Sequence, residues 1–388
     1  MIYLDHNATT PLAPGVLDAM LPFLREQYGN ASSRHDLGTI ARRAIENARE
    51  QVAAAVGVQP VQVIFTSGGT EANNLFVKGA SARVKPAQIA ISAIEHPCVA
   101  EPARQLKRLG WTLVELGVDA DGVVRSEDVD RALQTPTALV SVMLANNETG
   151  AIQPVADIAA RARRAKAFVH TDAVQAFGKI PVAFAELGVN AMTVSAHKIY
   201  GPKGAGALVV DKRLDLLPLL AGGGHERGSR SGTENVAAIV GFGAAAELAM
   251  AGLGDEAARV TLLRDRLESG LRQRGARIWS DGVTRVPNTT YFTIPRVEGE
   301  TLVIQLDDAG FATASGAACS SHHIGPSHVL LAMGVDAAAA GRAVRVSLGR
   351  DNDQSHVDAF LSTLDAILVR LGRMASIEQT NELTETTV

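Results

Sequence analysis

Phe168-Val169-His170-Thr171-Asp172-Ala173-Val174-Gln175 and Ala191-Met192-Thr193-Val194-Ser195-Ala196-His197-Lys198 share one pattern. In each, a short run rich in apolar and β-branched residues breaks into polar ones, so residues 168–171 and 191–195 read as strands with chemistry at their ends. Working outward, residues 61–66, 88–92, 112–116 and 139–144 also read as strands. Helical spacing occupies 41–56 and 156–167 between them. Strands alternating with helices predict an α/β fold, with a mainly parallel sheet and helices on both faces. Ligands in such sheets bind at the carboxyl ends of strands, where the polar motifs of this chain fall. After about residue 253 the pattern changes to a charged helix (255–274), short strands near 289–294, a helix at 299–309 and a last helix at 354–372. This predicts a smaller α+β domain. The expected division is an N-terminal arm of the small domain (1–14), a large domain (15–253), the small domain (254–374) and a polar, disordered tail (375–388).

The 388 residues are 46% apolar, enough for a large core. Lys and Arg number 37 against 41 Asp and Glu, a formal charge of −4 that gives no general reason to bind nucleic acid or an anionic membrane. No run approaches the about 18 uninterrupted apolar residues of a membrane helix. The nearest, 237–252, is rich in Gly and Ala, contains Glu247 and predicts a tightly packed helix. The first residues carry Asp5 and no basic-then-apolar export signal. Two cysteines, Cys98 and Cys319, allow at most one disulfide. A cytoplasmic protein with reduced thiols is the expectation.

Five motifs carry candidate chemistry. Ser67-Gly68-Gly69-Thr70-Glu71-Ala72-Asn73-Asn74 follows a strand and opens a helix. Its glycines admit a ligand close to the backbone, and free N–H groups at a helix start attract phosphate; the plain alternative is a connecting turn. In Glu95-His96-Pro97-Cys98, His96 can stack on a flat ring or act as acid or base, or be structural. Ala145-Asn146-Asn147-Glu148-Thr149-Gly150 offers Asn147 to a ligand, or is simply a turn. Asp172 at a strand end suits a protonated pyridine nitrogen, the electron sink of pyridoxal 5′-phosphate; alternatively it caps a helix. Gln175 can contact the hydroxyl of that ring. Lys198 can condense with an aldehyde when its amine is neutral, with Ser195 and His197 placed for a phosphate; the alternative is a solvated loop lysine. All five motifs follow strands of one sheet, and separate bland explanations for all of them are a poor account.

In these motifs the chain resembles the class-V aminotransferase-like pyridoxal-phosphate enzymes of fold type I, and within them the NifS/IscS cysteine desulfurases. The likeness runs from Tyr3-Leu4-Asp5 to about residue 350. It includes Asn7-Ala8-Thr9-Thr10-Pro11, Gly29-Asn30-Ala31-Ser32-Ser33, Arg230-Ser231-Gly232-Thr233-Glu234-Asn235 and Ser315-Gly316-Ala317-Ala318-Cys319-Ser320. His170 to Gln175 and Gly223-Gly224-His225-Glu226-Arg227-Gly228 resemble the nitrogen-fixation branch. The resemblance implies that Lys198 binds the cofactor covalently, Asp172 holds its ring nitrogen and His96 its face. Gly69, Thr70, Ser195 and His197 would hold the phosphate, and Gln175 the ring hydroxyl. Thr233 would reach the phosphate of a neighbouring subunit, making a homodimer. Asn147 and Arg345 would bind the substrate, the planar guanidinium matching a carboxylate.

The resemblance further implies that Cys319 attacks the sulfur of L-cysteine, leaving L-alanine and a persulfide for an iron–sulfur scaffold protein. Small neighbours from Ala314 to Ser321 suit a loop that visits both cofactor and acceptor. Ala317 and Ser320 stand where relatives often carry Ser and Thr. Cys98 is expected to be a buried structural thiol. Cys319 is also a candidate ligand of an iron–sulfur cluster shared with the scaffold. His322 and His323 could lower its pKa or join it on a metal, or be solvated. Alternatives are a selenocysteine lyase, another class-V enzyme such as a small-amino-acid aminotransferase, or a non-catalytic scaffold of the same fold.

Overall fold

The computed structural model describes residues 1–315 and 325–385, with side chains as far as Gly372. Strand β1 (Ile2–Tyr3) leads in. A seven-stranded sheet follows, of β2 (Val63–Thr66), β3 (Gln88–Ser92), β4 (Thr112–Leu116), β5 (Thr137–Ser141), β6 (Phe168–Asp172), β7 (Ala191–Ser195) and β8 (Gly206–Val210). Their spatial order is β2-β8-β7-β6-β5-β3-β4. Neighbours from β7 to β4 are parallel, and β8 runs antiparallel to both β7 and β2. Every residue of β2, β3, β7 and β8 is buried, as apolar runs covered on both faces require. Because β8 reverses the chain, β2 points the same way as β7. The ends of β2, β3, β5, β6 and β7 therefore share one edge.

Helices Asp36–Val56 and Val236–Ala251 pack together against this sheet. A Cβ on Gly243 would lie 2.7 Å from Ala48 Cα, so the Gly/Ala composition of the second helix permits the close approach. Among the described residues no single helix is long and apolar enough to cross a membrane. The segment before that helix is tied down by a buried ion pair: Arg49 donates two bonds to Glu226, at 2.7 and 2.8 Å. Glu226 also accepts the Phe65 N–H at 2.9 Å, which fixes the segment to β2.

A second core gathers Leu4, Leu267, Phe292, Leu306, Val346 and Phe360. It lies about β9 (Arg277–Ile278), β10 (Thr289–Thr293), β12 (Ala314–Ser315) and β13 (Val344–Ser347), an antiparallel sheet in the order β12-β13-β10-β9. Strand β11 (Phe311–Ala312) pairs in parallel with β1. The Ser347 N–H then donates to Leu4 O at 2.8 Å. The start of the chain is thus held by the second core, and residues 7–10 cross from it to the large sheet, where Thr10 N–H donates to His197 O at 2.9 Å.

The last helix, Gln354–Glu385, runs through residues 375–385, where disorder was expected. Beyond Gly372 no Gly or Pro interrupts the chain and Glu recurs at 378, 382 and 385, so each added residue extends an existing ladder without a new nucleus.

Candidate functional site

Five strand ends converge on one cavity. Gly69, Thr70, Asn73, His96, Cys98, Asn147, Asp172, Gln175, Ser195, His197 and Lys198 all line it. The sequence expectations for Gly69, Thr70, His96, Asn147, Asp172, Gln175, Ser195, His197 and Lys198 therefore meet in one place. Thr233 and Arg345 lie outside that lining. Cys319, with His322 and His323, lies outside the described residues.

The turn after β2 brings the helix Gly69–Asn74 to the cavity. Gly68 adopts φ 149° and ψ −179°, a region open essentially to glycine alone. A Cβ on Gly206 of β8 would sit 2.7 Å from the Gly68 backbone, so both glycines are needed for the turn to lie against the sheet. At the end of β7, Ser195 is buried, and its Oγ has no hydrogen-bond partner among the described residues. Lys198 follows in a short turn, its Nζ donating to Asn7 O at 2.5 Å and Ala8 O at 2.7 Å. Tyr200 then takes φ 65°, pinned by a 2.7 Å bond from its N–H to Thr10 Oγ1. His197 Nδ1 lies 3.2 Å from Thr9 Oγ1. Burial, with Lys198 and Lys203 nearby, lowers its pKa to about 4, which keeps the ring neutral.

Asp172 closes β6 and is 7% exposed. Its Oδ2 accepts from Asn73 Nδ2 at 2.6 Å, and its Oδ1 from Val174 N–H at 3.0 Å. The second bond closes a turn rather than capping a helix, so the helix-cap reading does not apply. Beneath it on the same strand, His170 is bracketed by Ser141 Oγ (2.9 Å) and Thr193 Oγ1 (3.0 Å) and stacks on Phe76. Burial lowers its pKa to about 3.

His96 caps the helix Pro97–Leu106 through its bond from Cys98 N–H and lines the cavity as well. Burial lowers its pKa, opposed by Asp172. Cys98, expected to be a buried structural thiol, lines the cavity instead of lying wholly within the core. It is half-buried on the cavity wall, with its Sγ 2.8 Å from His96 Nδ1 and 3.0 Å from Asn73 Nδ2. Burial first, then the Asp172 carboxylate, pushes its pKa far above that of an ordinary thiol. Arg345 stands on β13 behind Asn147. It donates to Asn147 O at 3.0 Å and to Asp5 Oδ1 at 2.7 Å. Gln175 donates to Asn7 O at 2.9 Å and accepts from Lys179 Nζ at 2.7 Å.

Asn7, Asn73 and Lys179 are site residues to which sequence reasoning gave no role. Asn7 and Asn73 stood inside quoted motifs, so position in a motif was the available signal; Lys179 offered none. Thr233 is exposed and lines a separate cleft with Ser67, Arg230 and Glu234. Among the described residues no group of three or more His, Cys, Asp or Glu could hold a metal ion.

Residues 2–360 match the aminotransferase class-V family. The cysteine desulfurase IscS of Dictyoglomus turgidum is 42% identical over 382 residues, covering 97% of each chain. A solved NifS-like protein superposes with a TM-score of 0.90 at 39% identity, over 95% of this chain and 99% of its own. A structure of SspA in complex with cysteine has a TM-score of 0.81 at 33% identity, over 90% of this chain and 99% of its own.

Proposed function

This chain belongs to the aminotransferase class-V family, among its NifS/IscS cysteine desulfurases, and on that premise we propose that it converts L-cysteine to L-alanine and keeps the sulfur as a persulfide on Cys319. The observation that carries the reading is the convergence of Lys198, Asp172, His96, Gln175 and Asn147 on one cavity. Pyridoxal 5′-phosphate, the cofactor this family implies, fits the residues present. The buried Ser195 Oγ has no partner among the described residues and suits a phosphate oxygen. A Cβ on Gly69 would come within 3.1 Å of Val174 Cγ2 and 3.8 Å of Ser195 Cβ, so its absence leaves room for a ligand beside the turn. When bound, the cofactor supplies an aldehyde that condenses with amines and a pyridinium that accepts electrons.

Each residue then has a stated task. Asp172, oriented by Asn73, would hold the proton on the ring nitrogen. His96 would cover the ring, and Gly69, Thr70, Ser195 and neutral His197 would hold the phosphate. Asn147 and Arg345 orient the substrate carboxylate, with Arg345 held by Asp5. Lys198 Nζ takes the α-proton and returns it within the cavity. The Cys319 thiolate attacks the substrate sulfur; the new S–S bond forms as the carbon–sulfur bond breaks. L-Cysteine and one thiol give L-alanine and one persulfide. SspA in complex with cysteine, being a relative of this fold, supports the choice of substrate. The IscS relative supports an iron–sulfur scaffold protein as the sulfur acceptor. Incubation with L-cysteine should yield alanine, with one added sulfur mapped to the Cys319 peptide by mass spectrometry. Alanine appearing only with a keto-acid acceptor would instead favour an aminotransferase.

The functional unit we propose is a homodimer in which Thr233 completes the phosphate site of its partner. Its exposure, beside the Ser67 turn and next to the Arg230–Glu71 pair at 3.0 Å, supports this. Thr233→Ala should weaken cofactor binding about tenfold, as the loss of one hydrogen bond to a charged group does. Cofactor loss should also promote dissociation. A fully active monomer in size-exclusion light scattering would remove the idea.

A further inference from the structure

Lys179 stands behind the cavity and takes no part in the chemistry above. Its Nζ donates to Asn7 Oδ1 at 2.7 Å and to Gln175 Oε1 at 2.7 Å. The residue as a whole is half-buried and borders a second cavity together with His6, Lys198 and Tyr200. Its amine end, however, is enclosed between the two amides. Burial, with Lys198 and Arg345 nearby, pushes its pKa well below the usual lysine range. An ammonium has three N–H donors and a neutral amine two, so both bonds survive either state.

A primary amide can sit either way round, and its neighbours decide which end faces where. Opposite a lysine donor the oxygen must face inward. Gln175 therefore turns Nε2 away from Lys179. One hydrogen goes to Asn7 O at 2.9 Å, and a second remains on a side chain that lines the cofactor cavity. Asn7 is oriented by the same rule. Its Oδ1 receives Lys179 and also Asn288 Nδ2 at 3.0 Å. Its Nδ2 is then directed to Asn147 O at 3.2 Å and Thr289 Oγ1 at 2.8 Å. The Asn7 carbonyl meanwhile accepts Lys198 Nζ. One buried amine thus holds the oxygens of two side-chain amides whose nitrogens the Asn7 and Asn147 carbonyls hold from the other side; Gln175 reaches the cavity, and the backbone of Asn7 meets Lys198.

We propose that Lys179 is a positioning residue, which anchors the Gln175 amide so that its remaining N–H faces the ring oxygen of the bound cofactor, and anchors the Asn7 side chain on the segment whose backbone carbonyl accepts Lys198 Nζ. The proposal rests on the reading that Lys198 carries pyridoxal phosphate. A donor aimed at the ring oxygen stabilises its anion. That draws the oxygen away from the neighbouring Lys198 nitrogen, so the proton on that nitrogen is lost at lower pH. A cationic Lys179 acts in the same direction. Asp172, His96, Cys98 and His197 in the first cavity, His6, Tyr200, Glu256 and Arg350 beside Lys179 on the second, and Arg345 with Asp5 behind Asn147 are the other titratable or charged groups around this point. A substitution at Lys179 leaves all of them in place.

The test is a pH titration of the visible absorbance of enzyme loaded with pyridoxal phosphate, wild type against Lys179→Met. Without the donor, Gln175 Oε1 loses its partner and the amide is no longer held toward the ring oxygen, so the midpoint should rise by roughly one unit, a tenfold change in the proton equilibrium. A purely structural lysine would lower thermal stability and leave the midpoint where it was, and that result overturns the proposal. Should the methionine variant not accumulate as folded protein, Gln175→Glu carries the test. It keeps Lys179 paired and removes the donor from the cavity, so the midpoint should again rise, and an unchanged midpoint overturns the proposal. A wild-type protein with no pH-dependent band, or with its cofactor fixed elsewhere than Lys198, would strike at the underlying reading instead.

Discussion

Lys198→Ala should leave a folded protein that no longer fixes pyridoxal phosphate on borohydride reduction, with alanine formation from L-cysteine lowered by at least about 1,000-fold. The size follows from losing the proton-transfer group, a contribution of about 10²–10⁴ by itself, together with the covalent anchor of the cofactor. The fold should survive because the substitution is made in a cavity wall. It removes an amine whose partners are the Asn7 and Ala8 carbonyls, at 2.5 and 2.7 Å, and water in the cavity can replace it at a net cost of about 1 kcal/mol. Thermal unfolding of the variant should therefore stay close to that of the wild type. The informative rival is Lys179. Its amine is near Lys198 and is held toward the neutral, nucleophilic form by burial. It is nonetheless engaged by Asn7 and Gln175 and faces them rather than the aldehyde site. Peptide mapping after reduction separates the two lysines. Cofactor fixed at Lys179 or Lys203 in the variant, with turnover retained, would show the anchor to be misassigned.

That contrast between two lysines also marks how far the sequence could be read. Strands β3, β4 and β7 occupy the residues that apolar, β-branched runs predict. The motifs follow strand ends, and so most of the cavity was legible. Strand β5 ends at Ser141 rather than at residue 144. Val142, Met143 and Leu144 are as buried as a strand, and an apolar run does not reveal where a ladder stops. Strand β8 was not foreseen. Its reversal between β7 and β2 depends on which strands it pairs with, and local pattern carries no such information. The N-terminal arm is the sharper case. Asn7 lies 191 residues from Lys198 along the chain yet accepts a hydrogen bond from its amine. Nothing local to either residue encodes that meeting. It arises because β1 is held by β11 and residues 7–10 must then cross to the large sheet. The role of Lys179 was hidden for the same reason: a lysine after a turn acquires a meaning only when Asn7 arrives beside it.

Cys319→Ala should separate binding from sulfur removal. Lys198, Asp172, Asn147 and Arg345 remain, so L-cysteine should still change the absorbance of the bound cofactor. Alanine release should fall by about 1,000-fold or more, as it does when a nucleophile is deleted from a site that otherwise stays intact. The sequence holds one other thiol. Cys98 lines the same cavity, which on proximity alone makes it a substitute. Two features disqualify it. Sulfur attack requires a thiolate, whereas burial and the Asp172 carboxylate hold Cys98 strongly toward the protonated thiol. Its sulfur is also held by Asn73 Nδ2 at 3.0 Å and His96 Nδ1 at 2.8 Å, at the start of the helix Pro97–Leu106. A group fixed there cannot carry sulfur to an outside acceptor. Cys98→Ser should accordingly remain active and still place the extra sulfur on Cys319. Turnover retained by Cys319→Ala, with the added sulfur found on Cys98, would transfer the nucleophile's role to the cavity wall and overturn the assignment.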